Sequence, residues 1–149
     1  MDFLQAVTST VRHMHPLLTD FPAAFLPISV VLNLLSRRWS NFRQPAWITM
    51  IIGTVGAILA AITGDATAEM LADPQRALVQ PHQIFAILTT LFFLGLTIWQ
   101  WRAKRKNKDV MNSTAFKVLS VIGMLLLIVT GMYGGSLVFD HGVGVVPVP

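Results

Sequence analysis

Three histidines, His15, His82 and His141, stand where long apolar stretches meet polar sequence. Imidazole is costly to hold in lipid and is the commonest protein metal ligand, so three at such boundaries point to a metal or haem site. Asp20 and Asp65 fall at similar depths and would add oxygen donors. Three imidazoles with one of these carboxylates suit copper or zinc better than magnesium or calcium. Two of the imidazoles alone suit the axial positions of a b-type haem, with Arg12 and Arg76 to pair with its propionates. Gly131, Gly134 and Gly135, crowded near one end of an apolar stretch, would let a flat ring approach the backbone. Met70 and Met132 lie near the same boundary, and His13 and Met14 complete an HMH string that reads as exposed sequence. The chain has no cysteine, which excludes disulfides, thiolate-ligated iron–sulfur clusters and covalent c-type haem.

Four apolar stretches, about 16–35, 46–64, 81–101 and 116–139, must position these residues. Apolar residues make up 54% of the 149 and charged residues only 12%, far below the share of about a quarter usual in soluble domains. Each stretch matches the roughly 20 helical residues that cross a bilayer core. Residues 1–149 therefore read as a single all-α membrane domain, a four-helix bundle with little chain left for anything else. Pro16 and Pro81 are expected at the first turns of the first and third helices, which puts His15 and His82 at helix N-termini where the dipole favours neutral imidazole. Residues 3–12 suit a short helix on the membrane surface, and Asp73 with Pro74 the start of a short helical turn between spans. Pro22 and Pro27 fall inside the first span, where they would bend it. Gly53, Ala57 and Ala61, with Gly56, Ala60 and Gly64 beside them, form small-residue rows on the second span, as in close helix packing.

Charge sets the orientation. Arg37, Arg38 and Arg43 occupy one connection, and Arg102, Lys104, Arg105, Lys106, Lys108 and Lys117 another, whereas Asp2, Asp20, Asp65, Glu69, Asp73 and Asp140 lie toward the opposite ends. By the positive-inside rule the helices run up-down-up-down with both termini outside, in a bacterial inner membrane. No signal peptide is expected, because a basic segment, an apolar run and a cleavage site do not follow one another at the N-terminus. The net charge of +4 then reflects topology, and no nucleic-acid surface is needed to explain it. Asp20, one turn inside the first span, is expected to point inward toward His82, Arg76 or bound water, since a bare carboxylate there is expensive.

The strings HPLLTDFPAAFL at 15–26, TGDATAEML at 63–71 and GGSLVFDHGVGV at 134–145 resemble the bacterial membrane proteins grouped as domain of unknown function twenty-two thirty-one. The family opens on a motif like HPLLVHFPIAL and closes on one like GGxLVYxHGVGV. The chain departs from that pattern at Asp20, where the family commonly has histidine. The resemblance implies a four-helix integral membrane domain, and relatives joined to Rieske-type or cytochrome c modules imply electron transfer.

Three functions compete on this reading. The leading one is a membrane electron carrier holding b-type haem near the outer face through two of the three histidines. The second is a copper or zinc protein using His15, His82, His141 and Asp65 or Asp20. The third is a cofactor-free accessory subunit of a membrane complex. Expected partners are the lipid bilayer, a periplasmic redox protein or membrane complex, and further copies of the chain. An electron carrier or subunit fits better than a stand-alone enzyme, because nothing resembles a hydrolase triad or a nucleotide loop.

Overall fold

The computed structural model describes residues 3–69 and 71–143, and for residues 3–9 and 11–13 the backbone alone. Four helices account for most of it: α1 (Phe3–Leu35), α2 (Arg43–Ala68), α3 (Asp73–Lys104) and α4 (Thr114–Phe139). A short 3-10 turn, Ser40–Phe42, leads into α2. Each helix is long and apolar enough to cross a membrane. Their outward faces carry the apolar residues that lipid requires, among them Leu17, Ile62, Leu91 and Met132. Intrahelical bonding satisfies the backbone, and hydroxyls of Thr49, Thr63, Thr67 and Ser120 bond carbonyls three or four residues earlier in their own helices.

Two helix starts differ from expectation. Residues 3–12 are no separate surface helix but the first turns of α1, which continues through Pro16, Pro22 and Pro27. Likewise Asp73 and Pro74 begin α3 itself, with Ala72 as the capping position, and Pro81 lies inside it. Val79, between Pro74 and Pro81, is buried, so this turn packs against the bundle and carries the helix on into the span. His15 and His82 are therefore interior helical residues, and the dipole argument for their neutrality falls.

The pairing of helices follows from size. Leu26 covers Gly53 and Phe21 covers Gly56, so that a Cβ on either glycine would collide with the α1 residue above it. Along this seam numbers rise on α1 as they fall on α2. Asp65 with Gln83 and Thr54 with Thr97 show the same opposition between α2 and α3, as do Thr130 with Thr89 and Gly123 with Phe93 between α4 and α3. Consecutive helices thus lie antiparallel. The α1–α2 seam is the tightest and the α1–α4 seam the loosest. Among the described residues no Cα of α1 comes within 8 Å of one in α3, nor one of α2 within 8 Å of α4, which makes these the diagonals of the bundle.

The two halves of the bundle differ inside. The core of Leu26, Val30, Trp47, Met50, Phe93, Leu96, Met111 and Phe116 fills the half nearer the basic connections. There Gln100 organises the α3–α4 connection: its Nε2 donates to Asp109 Oδ1 at 2.8 Å and its Oε1 accepts from Val110 N at 3.0 Å. Ser113 caps α4, its hydroxyl accepting from Phe116 N at 3.2 Å. Toward the acidic end the buried residues are small, chiefly Ala57, Ala60, Ala68, Val79, Thr89 and Thr90. The histidines stand in this half.

Candidate functional site

His15 and His82 are held by the same device on two different helix pairs. The Nδ1 of His15, on α1, lies 3.0 Å from the Ala60 carbonyl oxygen of α2. The Nδ1 of His82, on α3, lies 3.1 Å from the Thr130 carbonyl oxygen of α4. A carbonyl only accepts, so each Nδ1 carries the proton, and in the neutral ring the lone pair is left on Nε2. Thr63 Oγ1 stands 3.3 Å from His15 Nδ1 and donates its own proton to the Leu59 carbonyl at 2.9 Å, so it too faces the imidazole as an acceptor.

Each ring also rests on a glycine one turn beyond its carbonyl. A Cβ on Gly64 would stand 2.7 Å from His15 Cε1, and one on Gly134 would stand 3.0 Å from His82 Cε1. Ala60 with Gly64 and Thr130 with Gly134 are both i, i+4 pairs, which lie one above the other on a helix face. The ring spans that face, touching glycine with its edge and the carbonyl with Nδ1. Neither Nε2 has a hydrogen-bond partner among the described residues. The two rings stand on diagonal helices. Beside them, Gln83 Nε2 donates to Asp65 Oδ1 at 3.1 Å and ties α3 to α2.

The other expected site residues are placed differently. His141 is exposed just beyond α4, and its Nδ1 lies 3.1 Å from the Ser136 carbonyl of the same chain turn. Gly142, with φ 62°, takes the left-handed conformation that ends the helix, and Val143 N donates back to Leu137 O at 2.8 Å. His141 therefore belongs to a helix stop. Asp20 is exposed instead of turned inward. At 3.6 residues per turn it sits about 140° round α1 from His15, a direction that depth in the span does not reveal. Asp65 is exposed and engaged by Gln83.

Among the described residues no three His, Asp or Glu side chains gather to hold a metal ion, so the copper or zinc set of His15, His82, His141, Asp65 and Asp20 is not assembled. Arg76 lines an open surface groove of about 410 Å³ together with Asp65, Glu69 and Asp73. The side chains of Arg12 and His13, and Met70, lie outside the described residues. Met132 is 69% exposed. Of the clustered glycines, Gly134 is occupied by His82, while a Cβ on Gly131 would meet nothing within 4 Å and one on Gly135 only Phe139 at 4.0 Å. Clearance at Gly134 thus serves the imidazole. Gly64 does the same for His15, a role that the small-residue rows concealed.

Comparison with curated proteins and with solved structures finds no match among either. A family model does match, over residues 12–147, a stretch that includes both histidine seats and the helix stop at His141 and Gly142. The chain belongs to the family described as "Predicted membrane protein (DUF2231)".

Proposed function

We propose that the protein is a membrane electron carrier in which His15 and His82 would hold a b-type haem. The observation that carries this reading is the repeated seat: two imidazoles on diagonal helices, each with Nδ1–H fixed on a backbone carbonyl and Nε2 unpartnered. That is the tautomer a histidine needs to hold a metal through Nε2, and a carbonyl accepting from Nδ1–H would raise the basicity of that nitrogen. The donor set fits haem better than a bare divalent ion, which would need further ligands that the surrounding residues do not gather. The fully buried residues in this half of the bundle are small, and the aromatic pair Phe85 and Tyr133 stands one turn from His82.

Bound there, a haem supplies reversible one-electron chemistry. The chain's own part is to fix both rings: Ala60, Thr63 and Gly64 position one, and Thr130 and Gly134 the other. The apolar exterior excludes water from the flanks and sets the site near one membrane face. With the basic connections in the cytoplasm, that face is the periplasmic side of a bacterial inner membrane, and a periplasmic redox protein is the natural exchange partner.

The test is an absorption spectrum of protein produced with haem precursor supplied and purified in mild detergent, before and after dithionite. A Soret band and a sharp reduced α band are expected. Both should vanish in His15→Ala and His82→Ala and persist in His141→Ala. Protein that folds but remains colourless would overturn the haem reading, and elemental analysis of it would separate a copper or zinc protein from a cofactor-free subunit.

A further inference from the structure

The opposite end of the bundle holds an unbalanced charge. Lys117, in the first turn of α4, is only 9% exposed, and its side chain makes no hydrogen bond or ion pair among the described residues. Arg37 lines the same concavity as Lys117, and the one carboxylate of the connection before α4 is Asp109. That carboxylate is already engaged, its Oδ1 accepting from Gln100 Nε2 at 2.8 Å and from Met111 N at 3.1 Å. The Nε of Arg43 is inaccessible and unpartnered. One turn before Arg37 on α1, the fully buried Asn33 has neither its Oδ1 nor its Nδ2 satisfied.

Positive groups gathered without a free counter-charge repel one another, and the N-terminus of a long helix adds positive potential at the same place. Two other cations of the connections have partners: Lys104 lies over the Trp47 ring and Arg105 over Trp101, at 5.2 and 5.0 Å. A concavity of about 330 Å³ runs along the loose α1–α4 seam, with Arg37, Thr114 and Lys117 at one end and Leu34, Val118 and Ile122 along the rest. These apolar residues are between 42 and 53% exposed, so the groove opens sideways toward lipid. A soluble anion would match the basic end alone. An anionic phospholipid matches both ends.

We propose that this groove binds one anionic phospholipid, its phosphate between Arg37, Lys117 and the start of α4 and an acyl chain against Leu34, Val118 and Ile122. The site is independent of the histidine pair, which occupies the other end of the bundle. The negative headgroup supplies a counter-charge for Lys117 and Arg37, and an apolar chain covers the seam that α1 and α4 leave open.

The experiment measures thermal stability and retained lipid for protein in nanodiscs of phosphatidylcholine alone or mixed equally with phosphatidylglycerol, with inorganic phosphate in phosphatidylcholine discs as a separate arm. Phosphatidylglycerol should raise the melting temperature and survive detergent extraction at about one molecule per chain. Lys117→Met and Arg37→Gln should each weaken its retention about fivefold, the effect of one basic residue at a membrane surface, whereas Arg38→Gln should not. Circular dichroism establishes that each variant is folded. Equal stability in the two lipid compositions, or equal loss from Arg38→Gln, would overturn the site. Stabilisation by inorganic phosphate to the same extent would overturn the lipid as its occupant.

Discussion

Gly64→Ala tests the histidine seat most directly. Its Cβ would stand 2.7 Å from His15 Cε1 and 3.2 Å from Nδ1, whereas ordinary contact begins at 3.4 Å, so the ring edge must withdraw by 3.4 − 2.7 = 0.7 Å. Carried along the Nδ1···Ala60 O vector, that movement lengthens a 3.0 Å hydrogen bond to about 3.7 Å, beyond useful strength. A lost hydrogen bond of this kind costs about 0.5–1.5 kcal/mol, and loss of a partner that orients a ligating histidine lowers affinity roughly 10–100-fold. Gly134→Ala requires 3.4 − 3.0 = 0.4 Å at His82 and should be milder. Gly131→Ala meets nothing within 4 Å, and should instead gain up to about 1 kcal/mol from helix propensity. The assay is haem per protein after purification, from the reduced-minus-oxidised spectrum, together with the melting temperature. The expected order of haem loss is Gly64→Ala, then Gly134→Ala, with Gly131→Ala unchanged. If Gly131→Ala loses as much as Gly64→Ala, the glycines clear space for the porphyrin itself and the seat argument fails.

Asp20→His brings the chain to the family's commoner residue, yet it places the new imidazole about 140° round α1 from His15. Haem content and the reduced spectrum should therefore match the parent; an added or altered α band would show that position 20 reaches the site. Gln100→Ala removes the amide that serves Asp109, Val110 and Met111, and should destabilise by about 1–3 kcal/mol, read as a lower melting temperature with the spectrum unchanged. Cysteines introduced at Ser40 and Ser113 should resist an impermeant thiol reagent in intact cells, and labelling of both would move the histidine pair to the cytoplasmic side.

The four spans and the antiparallel order were legible because hydropathy and loop charge depend on composition alone. Where α1 and α3 begin was not, since a proline at a first turn and a proline within a helix look alike in sequence. The choice is made by packing, as buried Val79 makes it for α3. The histidine rim was legible in depth and illegible in direction. His15, His82 and His141 do lie toward one end, but a helix distributes residues at one depth around its full circumference. Asp20 is turned away from His15, and His141 is bonded back to Ser136.

The seats themselves escaped a reading based on side chains because backbone makes them. A carbonyl has no sequence signature, and a glycine that receives a ring is indistinguishable from one that receives a neighbouring helix: Gly53 lies under Leu26 while Gly64, in the adjoining row, lies under His15. The available signal was the pairing of a His beside proline with a Gly on the following helix, present once in α1 and α2 and again in α3 and α4. That repetition is the stronger argument for a shared task. Either ring alone could be held by a carbonyl and a glycine for packing, but two rings on diagonal helices, both fixed through Nδ1 and both with Nε2 unpartnered, are arranged alike toward the same half of the bundle. Packing does not require the nitrogen left over to be the same one twice. Ligation through Nε2 does.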